Sequence, residues 1–429
     1  MLPSSLKLSR VATATVARTA RLGLTSFKLS SSSPYRLIHD GIIKSPNANP
    51  VALQMIDYAL SLAKSQKSDE SHAQAMLVLE QCLSSQSSEN QDVVTHNSKG
   101  MVLLAMSSLL SARGSYDDAM EKLQNIQDLI HSHLDVRALV GLNLEMGNDD
   151  TSSVLADKCL ELLGKVELKN SDEGSEVASA RAKAIKGLAE LVQGNLESAE
   201  PFFQGFLDNK GCIGNAALSY GEFLHATRNF SLAKDFYQKV IHEVAKKKDF
   251  TDIRALAACN MASEEVLLAA TCALGQLEVH MGNFGNAEET LTSALNRAEQ
   301  IFGSRHPKVG VVLTCLALMF QHKAKQEHSS SLLIQEGLYR RAIELLKATP
   351  LDLEVNSTMR CRMDVIALAR GGYAETLCIQ ENRKSEGEKM KRWAEAAWRN
   401  RSLSLSEALK ISDSSNRMPV VDARICRAL

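Results

Sequence analysis

His131 and His133 form the one His-x-His pair of this 429-residue chain. Two steps along a helix turn the second imidazole about 200° from the first. The pair therefore cannot grip one metal ion and is expected at a surface. No H-E-x-x-H, G-x-x-x-x-G-K-[ST] or G-x-S-x-G motif occurs, so zinc hydrolysis, P-loop phosphate binding and nucleophile-elbow chemistry lack their residues. The adjacent carboxylates Glu264-Glu265 and Glu288-Glu289 read as solvated helix faces whose acids complement the helix dipole. His306-Pro307 reads as a link between helical hairpins and a helix stop. No catalytic residue, cofactor site or metal site is expected, and the chain is not read as an enzyme.

Two basic clusters could hold phosphates. Lys246-Lys247-Lys248 closes a long helical pattern, where cations favour the negative end of the dipole. Lys389-Met390-Lys391-Arg392-Trp393 with Trp398 interleaves charge and aromatics, as single-strand binding requires. The ordinary reading is that Trp393 and Trp398 anchor the final helix. Net charge supports this: Lys and Arg total 49 against 50 acids. Residues 1–39 hold Lys7, Arg10, Arg18, Arg21, Lys28 and Arg36 and no acid, leaving 43 basic against 50 acidic residues, −7, in the remainder. A mildly acidic body is a poor phosphate-neutralising surface, so nucleic acid is not the expected partner.

The basic leader, rich in Ser and Thr and closing on Ser30 to Pro34, is composed like an organellar transit peptide. On a helix, Lys7, Arg10, Arg18 and Arg21 share an arc of roughly 80°. This organised positive face favours the mitochondrion, matrix side, with the plastid as the alternative. Nine cysteines stand singly without C-x-x-C spacing, which argues for a reducing compartment and small buried residues. No run approaches the roughly 20 apolar residues of a membrane span.

What must position any binding residue is a repeat. Gly187-Leu188-Ala189 runs to Gly194-Asn195-Leu196, Ala199 and Phe203; Gly221 to Asn229-Phe230, Ala233 and Tyr237 repeats it 34 residues later. The same order returns in Gly275, Gly282-Asn283-Phe284, Ala287 and Leu291, and again in Ala317, Tyr339 and Ala342 after a polar insertion at Lys323 to Ser331. Gly114 to Leu123 gives an upstream copy; Ala75 to Cys82 and Gly141 to Leu163 give weaker ones. A fixed period of this size marks a helix-turn-helix unit. Small residues let two helices approach, Gly-Asn makes the tight turn, and Phe203, Tyr237, Leu291 and Tyr339 fill the gap to the next unit.

This pattern resembles the tetratricopeptide repeat (TPR) family. Asn283 to Glu288 with His306 to Val309 is similar to its kinesin-light-chain variety, though the first-helix Trp is absent throughout. The resemblance implies an all-α, right-handed superhelical solenoid of about six to seven antiparallel hairpins. The expected layout is a leader (1–45), divergent hairpins (46–165), the TPR-like array (166–350) and a C-terminal helical cap and tail (351–429). It also implies a non-catalytic scaffold or assembly factor that holds a client protein segment in its concave groove. Outward positions of first helices are the candidate contacts: Glu190, Gln193, Glu222, His225, Glu278 and His280. The chaperone-docking clamp of some members needs Asn directly after the small residue of the first helix. Leu188, Glu222 and Gln276 stand there instead, so chaperone docking is not expected. The rival reading is an organellar RNA-associated repeat factor similar in architecture to the pentatricopeptide class, whose repeats lack the Ala-x-x-x-Phe/Tyr signature found here.

Overall fold

The computed structural model describes residues 48–66, 68–86, 93–127, 133–167, 173–246, 259–329, 331–351, 361–410 and 417–429. The leader, His131, Lys247 and Lys248 lie outside them. The described residues form a solenoid of antiparallel helix pairs. In order these are α1 (Pro50–Gln66) with α2 (Asp69–Ser85), α3 (Val93–Ala112) with α4 (Tyr116–Gln127), and α5 (His133–Met146) with α6 (Asp149–Glu167). Next come α7 (Glu173–Val192) with α8 (Leu196–Phe203), α9 (Asn215–Ala226) with α10 (Phe230–Lys246), and α11 (Ser263–His280) with α12 (Phe284–Phe302). The series closes with α13 (Pro307–Glu327) and α14 (Leu332–Leu345), then α15 (Met363–Cys378) and α16 (Lys384–Ala397). Each helix packs on its partner and on the next pair. The expected six to seven hairpins become eight among the described residues, because α15 and α16 continue the same stacking.

The repeated residues make this geometry. The amide after each turn glycine or arginine closes the first helix onto a carbonyl five residues back: Asn195 to Glu190 at 2.9 Å, Asn229 to Leu224 at 2.7 Å, Asn283 to Glu278 at 2.8 Å. Asn148 bonds Leu142's neighbour Asn143 in the same way, at 2.8 Å, so the copy at Gly147 turns like the regular ones. Arg228 takes this left-handed position (φ 63°) without being glycine, a conformation that costs a side-chain-bearing residue about 1 kcal/mol. At Gly187 a Cβ would sit 2.5 Å from the Phe203 ring, and at Gly221 it would sit 2.8 Å from Tyr237. Phe203 in turn stacks on Phe223 of the following pair with centroids 5.1 Å apart. Leu291 fits against Gly275 likewise; Ala199, Ala233, Ala287 and Ala342 are fully buried. The polar insertion does not lengthen a turn: it extends α13 as far as Glu327, where His328 caps it in the left-handed region.

The array curls far enough for distant pairs to meet. Lys64 on α1 bridges Glu264 on α11 at 3.0 Å, and Arg362, just before α15, donates to the Tyr116 hydroxyl at the start of α4 at 3.1 Å. A short 3-10 turn, Cys259–Met261, packs against α3, α5 and α11. Among the described residues no helix is long and apolar enough to cross a membrane.

Candidate peptide groove

The first helices α5, α9, α11 and α15 hold the segment Arg417–Leu429. It folds back on itself as a small antiparallel hairpin, β1 (Val421–Asp422) with β2 (Arg427–Ala428), Val421 opposite Ala428 and Asp422 opposite Arg427. Residues 420–429 are all buried. Three sets of contacts hold it.

The first reads main chain. The Gln276 side-chain amide accepts from Val421 N (2.8 Å) and donates to Val421 O (2.9 Å), imitating the edge of a strand. Met418 N donates to Ala226 O at the C-terminal end of α9 (3.1 Å), and Asn400 donates to Ala428 O (3.2 Å). Gln276 is free to do this because it directly follows Gly275, on the side of α11 away from α12.

The second is an arginine socket. Arg424, with no exposed surface, donates to Glu222 at 2.6 Å, Asn215 at 2.8 Å and Ser219 at 3.2 Å, all on α9, and to Asp422 of its own hairpin at 2.9 Å. Burial pushes the Glu222 carboxyl well above the usual range; Arg424 opposes this and the neighbouring Asp422 adds to it. Two buried carboxylates around one guanidinium thus favour keeping one proton. Burial disfavours the Arg424 cation, but Asp422 and Glu222 outweigh it and raise its pKa.

The third is a second socket. Arg427 donates to Asp364 at 2.7 Å, to both oxygens of Asp149 at 2.9 and 3.1 Å, and to Leu144 O at 3.0 Å. It ties the N-terminal end of α15 to the turn between α5 and α6. Asp149 sits in the first turn of α6, where an acid complements the dipole.

Beside the hairpin lies a buried polar cluster. Glu145 accepts from Tyr116 (2.8 Å) and Asn260 (3.0 Å), with the Cys426 thiol 3.6 Å away. Lys308 pairs with Glu265 nearby. Burial lifts the Glu265 carboxyl to about 7, with Lys308 pulling the other way. This corrects the reading of Glu264-Glu265 as a solvated face: Glu265 turns inward onto the buried Lys308 and Glu264 bridges to Lys64. His306-Pro307 does stand at the link between α12 and α13, where His306 caps the start of α13 by accepting from Lys308 N at 3.2 Å. Trp393 is buried under the Arg370 guanidinium, 3.8 Å from the ring centroid, and Trp398 Nε1 donates to Leu403 O at 2.7 Å. Lys389, Lys391 and Arg392 point outward.

The six candidate contacts are not gathered into one site. Glu222 is in the Arg424 socket. Gln193 reaches Asp149 O at 3.4 Å, one residue removed from Arg427. Glu190 pairs with Lys186 at 3.0 Å. Glu278 pairs with Lys234 at 2.7 Å and accepts from the Asn283 side-chain amide at 2.8 Å. His225 bonds His280 at 2.7 Å and the Tyr237 hydroxyl at 3.2 Å. Outward placement fails for Glu222, His225 and Glu278, which are buried, because the array's curl and the hairpin cover the inner face. Sequence reasoning missed Gln276, Asp149, Asp364, Asn215 and Asn400 as contacts. Of these only Gln276 carried a signal, the position after the small residue of a first helix, which it shares with Glu222; the other four carried none.

No family model matches the chain, and no curated protein matches it. Among solved structures, yeast Tom70 is similar over 82% of this chain and 93% of its own, at 12% identity and a TM-score of 0.29. A structure described as Naa15/Naa10 bound to HypK-THB is similar over 81% of this chain and 68% of its own, at 15% identity and a TM-score of 0.15. At such scores the likeness carries no argument about function.

Proposed function

We propose that the chain is a non-catalytic, protein-binding scaffold or assembly factor of an organelle, the mitochondrial matrix, and that its inner face holds a segment of a client protein. The observation that carries this reading is Gln276, whose amide pairs with both main-chain groups of one residue of an extended segment. Main-chain recognition accepts many sequences, with flanking sockets for side chains, which is how strand-like peptides are bound elsewhere. The matrix assignment is supported by the basic, acid-free leader.

Tagged full-length protein purified from isolated organelles should retain a discrete protein set. Substitution of the groove contacts Glu222, Gln276, Asp149 and Asp364 is expected to thin that set. Unchanged retention across all four would sink the groove assignment. A fluorescent fusion of residues 1–45 should enter mitochondria; failure removes the location and leaves the binding reading to its own test.

A further inference from the structure

Resting on that reading, we propose that the groove selects a partner segment with the chemistry of its resident one. That segment is an extended strand or tight hairpin carrying two arginines three positions apart, and residues 417–429 are the competitor it must displace. The spacing follows from the sockets. Glu222 with Asn215 and Ser219 takes the first guanidinium, and Asp364 with Asp149 takes the second. Gln276 fixes the strand three residues ahead of the first arginine, at both main-chain groups of Val421. Guanidinium rather than ammonium is selected, since each socket uses several donors fanned around one plane.

The resident segment leaves the second socket incompletely used. No donor reaches the buried Asp364 Oδ1. A ligand supplying one there would gain about 10-fold in affinity. The occupant is thus well placed but not the best fit, as a displaceable competitor should be. Covalent attachment to the rest of the chain keeps it at an effective concentration on the order of mM, so only a partner of matching chemistry competes.

The test is a fluorescein-labelled peptide of residues 417–429, titrated against the full chain and against a chain ending at Asn416. The shortened chain should bind it and the full chain should bind at least about 100-fold more weakly. A peptide with Arg424→Glu and Arg427→Glu should lose about 100-fold or more on the shortened chain. A shortened chain that keeps its helical circular dichroism yet ignores the peptide, or binds both peptides alike, overturns the proposal. If the shortened chain does not fold, a protease site placed between Lys410 and Arg417 is cut after folding. Exchange of the cut segment for labelled peptide supports the proposal; a cut segment that never exchanges overturns it. Organelle proteins retained by the uncut chain report separately on the protein-binding reading.

Discussion

Arg424→Met is the most direct perturbation of the inner face. The substitution keeps the length and most of the apolar stem of the side chain and removes the guanidinium from between Glu222 and Asp422, each fully buried. Removing one partner of a buried ion pair leaves an uncompensated charge at a cost of about 3–5 kcal/mol. The proton favoured on Glu222 limits that charge to Asp422, so the lower end is expected. The loss should fall on local opening of the hairpin before global unfolding. Native-state hydrogen exchange reads it at three amides the segment ties down: Val421 N to Gln276, Leu429 N to Val420 O and Met418 N to Ala226 O. A 3 kcal/mol loss should accelerate their exchange by roughly 150-fold. Combining Arg424→Met with Glu222→Leu and Asp422→Ala should recover most of it, because an apolar replacement of the whole network owes no desolvation. An acceleration under about 5-fold, or a triple variant no better than the single one, would refute the assignment of Arg424 as the anchor.

Glu222→Gln should remove a pH slope. Its folded pKa lies above the reference 4.5, so the folded chain holds a proton the unfolded chain has released, and wild-type stability declines as pH rises through that window. Denaturant titrations should show this decline in the wild type and a flatter profile in the variant. The opposite slope belongs to His280, which burial, with Arg228 adding, lowers from 6.5 to about 4. Its stabilising share is present above pH 6.5 and lost on acidification towards pH 4; His280→Gln, still facing His225, should make that limb shallower in urea melts, the rest belonging to His225, His306 and His322, which burial also lowers. Gly372→Ala would drive a methyl into the Tyr339 hydroxyl and should destabilise by about 1–3 kcal/mol. Gly337→Ala, on the same neighbouring pair but with nothing near its Cβ, should stabilise by about 0.5–1 kcal/mol, and equal signs for the two in urea melts would contradict this packing.

The helix pairs were legible in the sequence because each depends on contacts within one period. Gly187 needs Phe203, and Gly221 needs Tyr237; both partners are sixteen residues away on the next helix. The groove was legible only in part, because its chemistry pairs residues far apart in the chain. Arg424 meets Glu222 across 202 positions, Gln276 meets Val421 across 145, and Arg427 meets Asp149 across 278. No repeat period encodes such pairs. Position within the repeat did mark Glu222 and Gln276, since a residue after the small one must face away from the partner helix. What that face would touch depends on the curl of the whole array. The fold also turned Glu265 onto Lys308, although its sequence neighbourhood, a first helical turn beginning Ser263-Glu264, reads as solvated.

Those long-range pairs change how the solenoid should unfold. In a simple helical array each unit contacts only its neighbours, and stability is a sum of unit and interface terms, so cooperativity weakens with length. Here one hairpin bonds α5, α9, α11 and α15, members of the third, fifth, sixth and eighth pairs. No nearest-neighbour chain can lose one of those pairs without also losing hairpin contacts in the others. The segment therefore supplies coupling that the stacking alone does not. The wild-type chain is expected to unfold in urea as one transition, with helical circular dichroism and tryptophan fluorescence from Trp393 and Trp398 superimposing. Gln276→Leu with Arg424→Met removes every side-chain bond of the hairpin to α9 and α11, leaving only the main-chain bond of Met418 to Ala226 and every helix–helix contact in place. If the coupling runs through the hairpin, the two probes should separate in that variant, the tryptophans reporting the α15–α16 end alone. Coincident probes in the variant would mean that stacking suffices to make the array cooperative, and that the hairpin is held by the fold without holding it.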